Sequence, residues 1–242
     1  MDASPPSAQL ATRLGLAESD ALRLALRHTS YVNEQGGDRG DSNERLEFLG
    51  DAVVGLLVGE ALYRRFPASA EGELTLLRAW LVRRQMLAAW ARELELGALV
   101  LLGQGEDQPR SRERDTLLAE TFEAVIGAIY LEQGFGATRS LLAPFLDAEL
   151  DRADVFERAV DPKSRLQWRS QALFGMTPRY EEVEIVGPHH DPTYTCRVIY
   201  GPDRSATGVG IGKRQAQKAA AKNALADLDR QSLDEPAGAA PS

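Results

Sequence analysis

The sequence predicts an all-α domain followed by a small α+β domain of order α-β-β-β-α. Between residues 9 and 150, apolar residues recur every three or four positions and no strand pattern competes with them. After Val160, three stretches of alternating or β-branched character appear, separated by turn-forming residues and flanked by helical segments. The 242 residues are enough for two domains, each with its own core.

The ends of the first predicted helices are indicated by a capping residue and by a proline. The segment "SDALRLALRH" opens with Ser19, whose hydroxyl is suited to cap a helix N-terminus. A long apolar stripe then runs over 44–66 and stops at Pro67, which cannot continue a helix. These signals predict two helices, the second of about six turns.

Three further helices are predicted before residue 152. The stretch "EGELTLLRAWLVRRQMLAAWARELEL" has helical spacing throughout and is expected to form one helix that ends before Gly97. "RDTLLAETFEAVIGAIYLEQG" is expected to close on Gly134. "ATRSLLAPFLDAELDRA" is expected to form one more helix, interrupted near Pro144.

The second domain starts with the helix "DPKSRLQWRSQALFG", which has Pro162 in its first turn. The strands "RYEEVEIVG", "TYTCRVIYG" and "SATGVGIG" follow, joined through "GPHHDP" and "GPDR". Cys196 alternates with outward positions and is expected in the core. The final helix, "KRQAQKAAAKNALADLDR", carries a small apolar face that would let it lie close on the sheet: Ala216, Ala219, Ala220, Ala224, Leu225 and Leu228.

Composition sets the expected domain bounds. The Pro/Ala/Ser-rich ends, 1–8 and 231–242, are expected to be disordered. The helical domain is placed at 9–152, the charged linker at 153–160 and the α+β domain at 161–230.

Charge and cysteine content exclude several classes of protein. The net charge of −8 argues against a general nucleic-acid binder, yet residues 161–230 hold eleven Lys/Arg against eight Asp/Glu. The single cysteine excludes an internal disulfide and a Cys-based zinc site, and it fits a reducing, cytoplasmic setting. The N-terminus lacks the apolar run of a signal peptide, and no window is long and apolar enough to suggest a membrane span.

Two groups of acids stand out within apolar helices. Glu44, Glu47 and Asp51 project from one narrow sector of a helix, and Glu120 and Glu123 form a second pair three residues apart. Like charges this close repel, and removing them from water adds to the cost. A hard divalent cation would compensate, and clustered carboxylates suit Mg²⁺ or Mn²⁺.

The alternative for these acids is an ordinary solvated face, which is the usual explanation of a carboxylate pair. The flanking residues are nearly all apolar, however, and Gly50, Gly55 and Gly59 suggest close helix packing. Spacing alone leaves both interpretations open.

The segment "NERLEFLGDAVVG" resembles the signature of ribonuclease III, the double-stranded-RNA endonuclease. "ALRHTSY", "EGELT" and "LAETFEAVIGAIYLEQG" resemble three further motifs of that family, in the same order. The α-β-β-β-α tail resembles the double-stranded-RNA-binding domain that follows in bacterial members. The resemblance covers roughly residues 10–229 and implies the same two-domain fold.

The resemblance also implies roles for individual residues in the helical domain. The positions that match the family's catalytic, metal-binding carboxylates are Glu47, Asp51, Glu120 and Glu123. Glu44 and Glu71 match acids that line the cleft near the RNA backbone, and Phe48 matches an aromatic that inserts into the partner subunit of a homodimer. Mg²⁺ is the implied cofactor, with Mn²⁺ as a substitute.

One residue departs from the family pattern. Where this chain has Glu120 the family usually has Asp, so the carboxylate is displaced by about one C–C bond. Because metal–ligand distances tolerate about 0.2 Å, the change could alter the preference between Mg²⁺ and Mn²⁺. We expect activity to survive.

In the second domain, Lys213, Arg214 and Lys218 match the family's phosphate clamp. The first turn of a helix adds free N–H groups that favour an anion. An ordinary solvated basic face is the alternative for "KRQAQK" taken by itself. The family's sugar- and loop-contacting positions are matched by Gln167, Gln171 and His190, the last of which could be a plain surface histidine. The resemblance leaves the role of Trp168 open.

The implied activity is metal-dependent hydrolysis of double-stranded RNA to 5′-phosphate and 3′-hydroxyl ends with short 3′ overhangs. The family further implies processing of ribosomal precursor, messenger and other structured RNAs in the cytoplasm. A non-cleaving RNA-binding regulator of the same fold is the alternative. Loss of an acid would favour that alternative, and every family carboxylate position in this chain holds an acid.

Overall fold

The computed structural model describes residues 4–152, 155, 159, 161–187 and 192–234, the side chains of 231–234 excepted. The described chain divides into two compact units. The first runs to Pro67 and resumes from Leu77 to Val155, and the second takes Ala68–Leu76 and the chain after Val155. Among the described residues, no helix is long and apolar enough to cross a membrane.

Helices dominate the chain as far as Leu150, as predicted. They are α1 (Pro6–Leu14), α2 (Asp20–Ala25), α3 (Thr29–Glu34), α4 (Glu44–Arg65), α5 (Glu71–Leu81), α6 (Arg84–Glu93), α7 (Leu96–Leu99), α8 (Pro109–Arg112) and α9 (Asp115–Leu150). A 3₁₀ turn at Arg39–Asp41 precedes α4. The chain is already helical from Pro6, inside the stretch 1–8 that we expected to be disordered.

The core of the first unit lies where α4 and α6 pack on α9. Three aromatic rings meet there, with ring centroids 5.8 Å apart for Trp90 and Phe122 and 5.9 Å apart for Trp90 and Phe145. Trp90 and Phe122 are 2% and 0% exposed, so these two rings are closed to water, while Phe145 is half-buried. Burial of such large rings is a major stabilising contribution in a domain of this size.

Several predicted helix ends are confirmed. Ser19 caps α2, its Oγ accepting a hydrogen bond from the Leu22 N–H at 3.1 Å. Helix α4 ends at Arg65, just before Pro67. Gly134 interrupts α9 with non-helical angles (φ 74°, ψ −177°), a conformation that glycine adopts without steric cost.

One predicted helix is divided in two, although the second of the two ends before Gly97 as expected. The stretch expected to form one helix up to Gly97 breaks at Arg83, whose extended backbone (ψ 149°) separates α5 from α6. The break lets Leu81 and Leu87 on either side of it both be buried, which one straight helix need not achieve. Gly97 lies inside the short α7.

Pro144 does not interrupt the last helix of the first unit, as we had expected. The helical segment after Gly134 continues through it to Leu150. A proline removes one backbone hydrogen bond from a helix interior. Leu142 and Leu146 on either side are 0% and 4% exposed, so apolar packing offsets that loss.

The second unit has the predicted α-β-β-β-α order. Its elements are α10 (Pro162–Phe174), β1 (Arg179–Val186), β2 (Thr193–Gly201), β3 (Arg204–Ile211) and α11 (Lys213–Asp234). The strands form an antiparallel sheet in the order β1-β2-β3. Helix α11 continues four residues beyond Arg230, into the stretch 231–242 that we expected to be disordered.

Helix α11 lies in backbone contact with β3, as its small apolar face predicts. A Cβ added to Gly208 would stand 2.0 Å from the Ala220 backbone nitrogen, and one added to Gly210 would stand 2.7 Å from that of Ala216. Ala221, which the sequence pattern missed, is also fully buried on this helix. Cys196 is fully buried, which confirms its place in the core.

Candidate metal centre and nucleic-acid interface

The acid cluster is built by a close crossing of α4 and α9. A Cβ added to Gly50 would stand 1.8 Å from the backbone oxygen of Glu123, and one added to Gly127 would stand 2.3 Å from that of Leu46. The two helices therefore touch backbone to backbone at positions where only glycine fits. The prediction of close packing is confirmed for Gly50.

The same prediction was wrong for two other glycines of α4. A Cβ added to Gly55 would meet nothing within 4 Å, and one added to Gly59 would only approach the Arg78 side chain at 4.0 Å. The backbone-to-backbone contact on α4 therefore lies in its first two turns, around Gly50, which is where Glu47 and Asp51 lie.

The crossing places two acids of α4 beside two acids of α9. Burial and, in decreasing order, the negative charges of Asp51, Glu47 and Glu120 together raise the pKa of Glu123 to about 7. Burial also raises the pKa of Glu47, with contributions from Glu120, Glu44 and Asp51. All five predicted acids of these two helices therefore interact electrostatically.

Positively charged side chains from outside the two acid motifs partly offset the negative charge around Glu120. Burial raises the pKa of this carboxyl group, while the charges of His28, Arg84 and Arg114 lower it. Arg84 also lowers the pKa of Glu123. No sequence pattern pointed to Arg84, because it comes from α6, far along the chain from both acid motifs.

The start of α4 is fixed by a buried asparagine that the sequence analysis did not single out. The Asn43 backbone N–H donates to the Arg27 carbonyl at 2.9 Å, and its side-chain Nδ2 donates to the Ala25 carbonyl at 3.3 Å. Asn43 is 3% exposed. These bonds tie the first turn of α4, and with it Glu44 and Glu47, to the end of α2.

Carboxylate oxygens are the donor type that hard divalent cations prefer, so the composition of the cluster fits such an ion. Among the described residues, no three Asp, Glu, His or Cys side chains already stand in a group that could hold an ion.

Glu71 lies in the stretch Ala68–Leu76, which belongs to the second unit, whereas the acid cluster belongs to the first. It is the first residue of α5, and its Oε1 accepts a hydrogen bond from the Thr75 hydroxyl at 2.8 Å. Its predicted place in the cleft stays a prediction.

Phe48 projects from the surface of the first unit. Its side chain is 81% exposed, an unusual state for a phenylalanine. It borders a depression of about 570 Å³ whose apolar lining includes Leu24, Leu46, Leu49 and the exposed Leu131. An aromatic knob and an apolar depression thus share one surface.

The predicted phosphate clamp lies at the start of α11. Lys213 and Arg214 are its first two residues and are exposed, and Lys218 follows one turn later. The clamp lysines have carboxylate partners, Lys213 with Glu182 and Lys218 with Asp161. All three bases lie on the surface of the second unit.

The predicted contacts outside the clamp are partly described. Gln167 and Gln171 are exposed on α10, and the Oε1 of Gln171 accepts a hydrogen bond from the Thr177 hydroxyl at 3.3 Å. Trp168 is half-buried. The predicted loop contact, His190, lies outside the described residues.

Lys163 is a further base on this surface, although no sequence pattern pointed to it. Its ammonium donates to the Oε1 of Gln217 at 2.8 Å and lies 4.6 Å from the centre of the Tyr180 ring. It thus joins the start of α10 to the first turns of α11, next to the clamp.

Family comparisons agree with this division of the chain. The family described as "Ribonuclease-III-like" matches residues 18–148, which contain the acid cluster. The family described as "Double-stranded RNA binding motif" matches residues 162–228, which contain the clamp.

Named relatives align along nearly the whole chain. A protein named Ribonuclease 3 from Roseiflexus sp. (strain RS-1) is 47% identical over 225 residues, covering 91% of this chain and 95% of that protein. A protein of the same name from Chloroflexus aggregans (strain MD-66 / DSM 9485) is 42% identical over 228 residues, covering 92% and 98%.

A solved structure resembles the first part of the chain. It is the nuclease domain of ribonuclease III from Campylobacter jejuni, in a study of flexibility in the region involved in dimer formation. The TM-score is 0.53 at 37% identity, and the match covers 58% of this chain and 95% of that one.

Proposed function

This chain belongs to the ribonuclease III family and is a double-stranded-RNA endonuclease, and we propose that α4 and α9 hold the divalent ions on which its cleavage depends. The family is metal-dependent. The observation that carries the proposal is the backbone contact at Gly50 and Gly127, which gathers carboxylates of two helices beside one another.

The proposed ligands are Glu47 and Asp51 from α4 and Glu120 and Glu123 from α9. Mg²⁺ is the proposed ion, with Mn²⁺ as a substitute, because all four side chains offer hard oxygen donors. When bound, such an ion lowers the pKa of a water molecule and stabilises the charge on the departing 3′ oxygen. The products are 5′-phosphate and 3′-hydroxyl ends with short 3′ overhangs.

The packing of the two helices positions the four proposed carboxylate ligands and limits their hydration. The glycine crossing fixes the spacing of the two pairs of acids, and partial burial raises the pKa of Glu123 to about 7. Glu123 therefore holds a proton for part of the time near neutral pH and must lose it to become a ligand. We propose Glu44 and Glu71 as acids of the surrounding RNA cleft.

Substitution Glu123→Gln tests the metal assignment. It removes a charge and a donor oxygen but keeps the side-chain shape, so we expect cleavage of a long duplex to fall at least about a hundredfold while duplex binding persists. A second readout is the rise in melting temperature on adding Mn²⁺ to the RNA-free protein, which this variant should lose.

The control is Glu132→Gln, which alters an exposed glutamate on the same helix. It should keep both cleavage and the Mn²⁺-dependent stabilisation. If Glu123→Gln cleaved at the normal rate in Mg²⁺, the metal assignment would be wrong.

The second unit binds double-stranded RNA, and we propose that Lys213, Arg214 and Lys218 contact its phosphates. The exposure of Lys213 and Arg214 and the partial exposure of Lys218 support this role, and a helix N-terminus also offers unpaired N–H groups to an anion. The exposed Gln167 and Gln171 are proposed to reach sugar hydroxyls, with His190 as a contact from the loop between β1 and β2.

We propose that the protein acts as a homodimer through its first unit. Exposed Phe48 beside an apolar depression on the same surface supports a self-complementary contact, in which each knob enters the depression of the other copy. The related domain from Campylobacter jejuni is described in terms of dimer formation.

The biological setting follows from the family. We propose cytoplasmic processing of ribosomal precursor, messenger and other structured RNAs, with 9–152 as the catalytic part, 153–160 as a linker and 161–230 as the RNA-binding part. A non-cleaving regulator is not favoured, because every proposed ligand position holds a carboxylate.

A further inference from the structure

The first and last bases of the phosphate clamp are already paired with carboxylates of the second unit. The Lys213 ammonium pairs with the Oε1 of Glu182 on β1, and the Lys218 ammonium lies 2.6 Å from the Oδ2 of Asp161. Lys213 and Glu182 have side chains 59% and 38% exposed, so their pair lies at the surface. The hydrogen bond that Lys213 donates to the Glu182 carboxylate, reinforced by the charge of that carboxylate, raises the pKa of Lys213.

The edge of the sheet explains how Glu182 reaches the clamp. In the register of β1 and β2, Glu182 stands opposite Cys196, which is fully buried under the helices. Residues opposite each other in an antiparallel pair project to the same face, so Glu182 projects to the face that α11 covers. A register shift follows directly, between Glu182 and Glu184.

The carboxylate of Glu182 therefore meets the first residue of α11, where a phosphate is proposed to bind. A helix N-terminus attracts an anion of either kind, whether carboxylate or phosphate. Two anions beside the same ammonium group repel each other, so the carboxylate and a phosphate compete for that position.

We propose that Glu182 is a built-in competitor of RNA phosphate at Lys213, which lowers the affinity of the second unit for duplex RNA and lessens its dependence on salt. This inference rests on the proposed phosphate contact of Lys213. An ion pair on the surface is weak, so a duplex displaces the carboxylate instead of being excluded by it. Glu182 thus sets the strength of binding without preventing it.

Asp161 pairs with Lys218 as Glu182 pairs with Lys213, but its carboxylate also has a structural role. Its carboxylate also accepts a hydrogen bond from the Lys163 backbone N–H at 3.0 Å and so caps α10. Its position therefore has a structural reason that Glu182 does not share among the described contacts. For this reason the test is made at Glu182.

The test compares three variants of the full-length protein binding a short RNA duplex in EDTA, which prevents cleavage. The variants are Glu182→Gln, Glu181→Gln and Lys213→Gln, each measured from low to moderate KCl. Glu181 is the matched control, because it precedes Glu182 in β1, stands opposite Arg197 and so projects to the other face of the sheet. Both glutamate variants change the net charge equally.

We expect Glu182→Gln to bind the duplex about three- to tenfold more tightly than the unmodified protein, with the slope of log K against log salt steeper by up to about 0.9. Glu181→Gln should change affinity less than about twofold. Equal affinities and slopes for the two glutamate variants would overturn the inference.

The Lys213→Gln variant separates this failure from failure of the proposed clamp. If Lys213→Gln weakens binding while Glu182→Gln has no effect, the clamp stands and only the competition is wrong. If Lys213→Gln leaves affinity and salt slope unchanged, the phosphate contact itself is wrong and the inference fails with it.

Discussion

At the scale of single residues, the acid cluster shows what a sequence pattern can and cannot reveal. The spacing of Glu47 and Asp51, and of Glu120 and Glu123, was enough to predict two groups of carboxylates in apolar surroundings. The countercharge of Arg84 could not be predicted, because it depends on which helix packs beside α9. The raised pKa of Glu123 depends on the same tertiary burial.

That raised pKa predicts a pH-dependent stability of the metal-free protein. The folded-state pKa of Glu123 is about 7 and its ordinary value is 4.5, so the folded state binds the proton more tightly. Its contribution is full below pH 4.5 and is lost as the pH rises through 7. After allowance for partial exposure, the change is about 1–2 kcal/mol.

Replacing Glu123 by Gln should therefore raise the free energy of unfolding at pH 8 by about 1–2 kcal/mol and by much less at pH 5. Urea unfolding in EDTA at the two pH values measures this difference. Glu132→Gln is the control and should show no such pH dependence. A gain for Glu123→Gln that is equal at both pH values would contradict the burial of an ionisable group at this position.

Glu120 carries a separate prediction about the choice of ion. Mg²⁺ demands near-ideal octahedral geometry, so a carboxylate longer by one methylene penalises Mg²⁺ more than Mn²⁺. We expect Glu120→Asp to keep cleavage and to raise the ratio of the Mg²⁺-supported rate to the Mn²⁺-supported rate by about threefold or more. Initial rates in each ion at saturation measure the ratio, and a lower ratio would contradict the argument.

At the scale of helices and strands, the sequence predicted most elements but not every boundary. Ser19, Gly134 and the turn-forming residues after Val160 marked real ends, because each acts through local backbone chemistry. The break at Arg83 had no such marker in the sequence. It exists because two helices must each turn an apolar face to one core, which is a tertiary requirement.

The crossing of α4 and α9 predicts a large effect from a small change. In Gly50→Ala the new methyl group would stand 1.8 Å from a backbone oxygen, so the helices must separate. We expect a loss of about 3 kcal/mol or more in the free energy of unfolding, and a loss of cleavage. Thermal or urea unfolding measures the first effect.

Gly136→Ala is the matched control, since a Cβ added there meets nothing within 4 Å. It should leave stability unchanged or raise it by up to about 1 kcal/mol through helix propensity. Similar losses of stability in both variants would mean that any glycine-to-alanine change in these helices is harmful. The loss in Gly50→Ala would then not be due to a clash at the helix crossing.

At the scale of the whole molecule, the exposed Phe48 predicts the oligomeric state. If two copies meet through this residue, Phe48→Ala should weaken dimer formation by at least about thirtyfold, because a buried aromatic anchor commonly contributes over 2 kcal/mol. Sedimentation velocity over a range of concentrations measures the dissociation constant.

Leu173→Ala alters another exposed apolar residue, 56% exposed on α10 of the second unit, and should leave the dimer intact. An unmodified protein that sediments as a monomer at micromolar concentration would contradict the proposed homodimer. A dimer that survives Phe48→Ala would place its interface elsewhere.

The contact between Gly50 and Gly127 has a consequence for how variants of this enzyme are interpreted. A screen for inactive mutants would recover these two positions together with the four acids, although neither glycine has a group that can touch an ion or a phosphate. What matters at both is the absence of a side chain. Inactivity at a position is therefore no sign of chemistry there until unfolding has been measured alongside it.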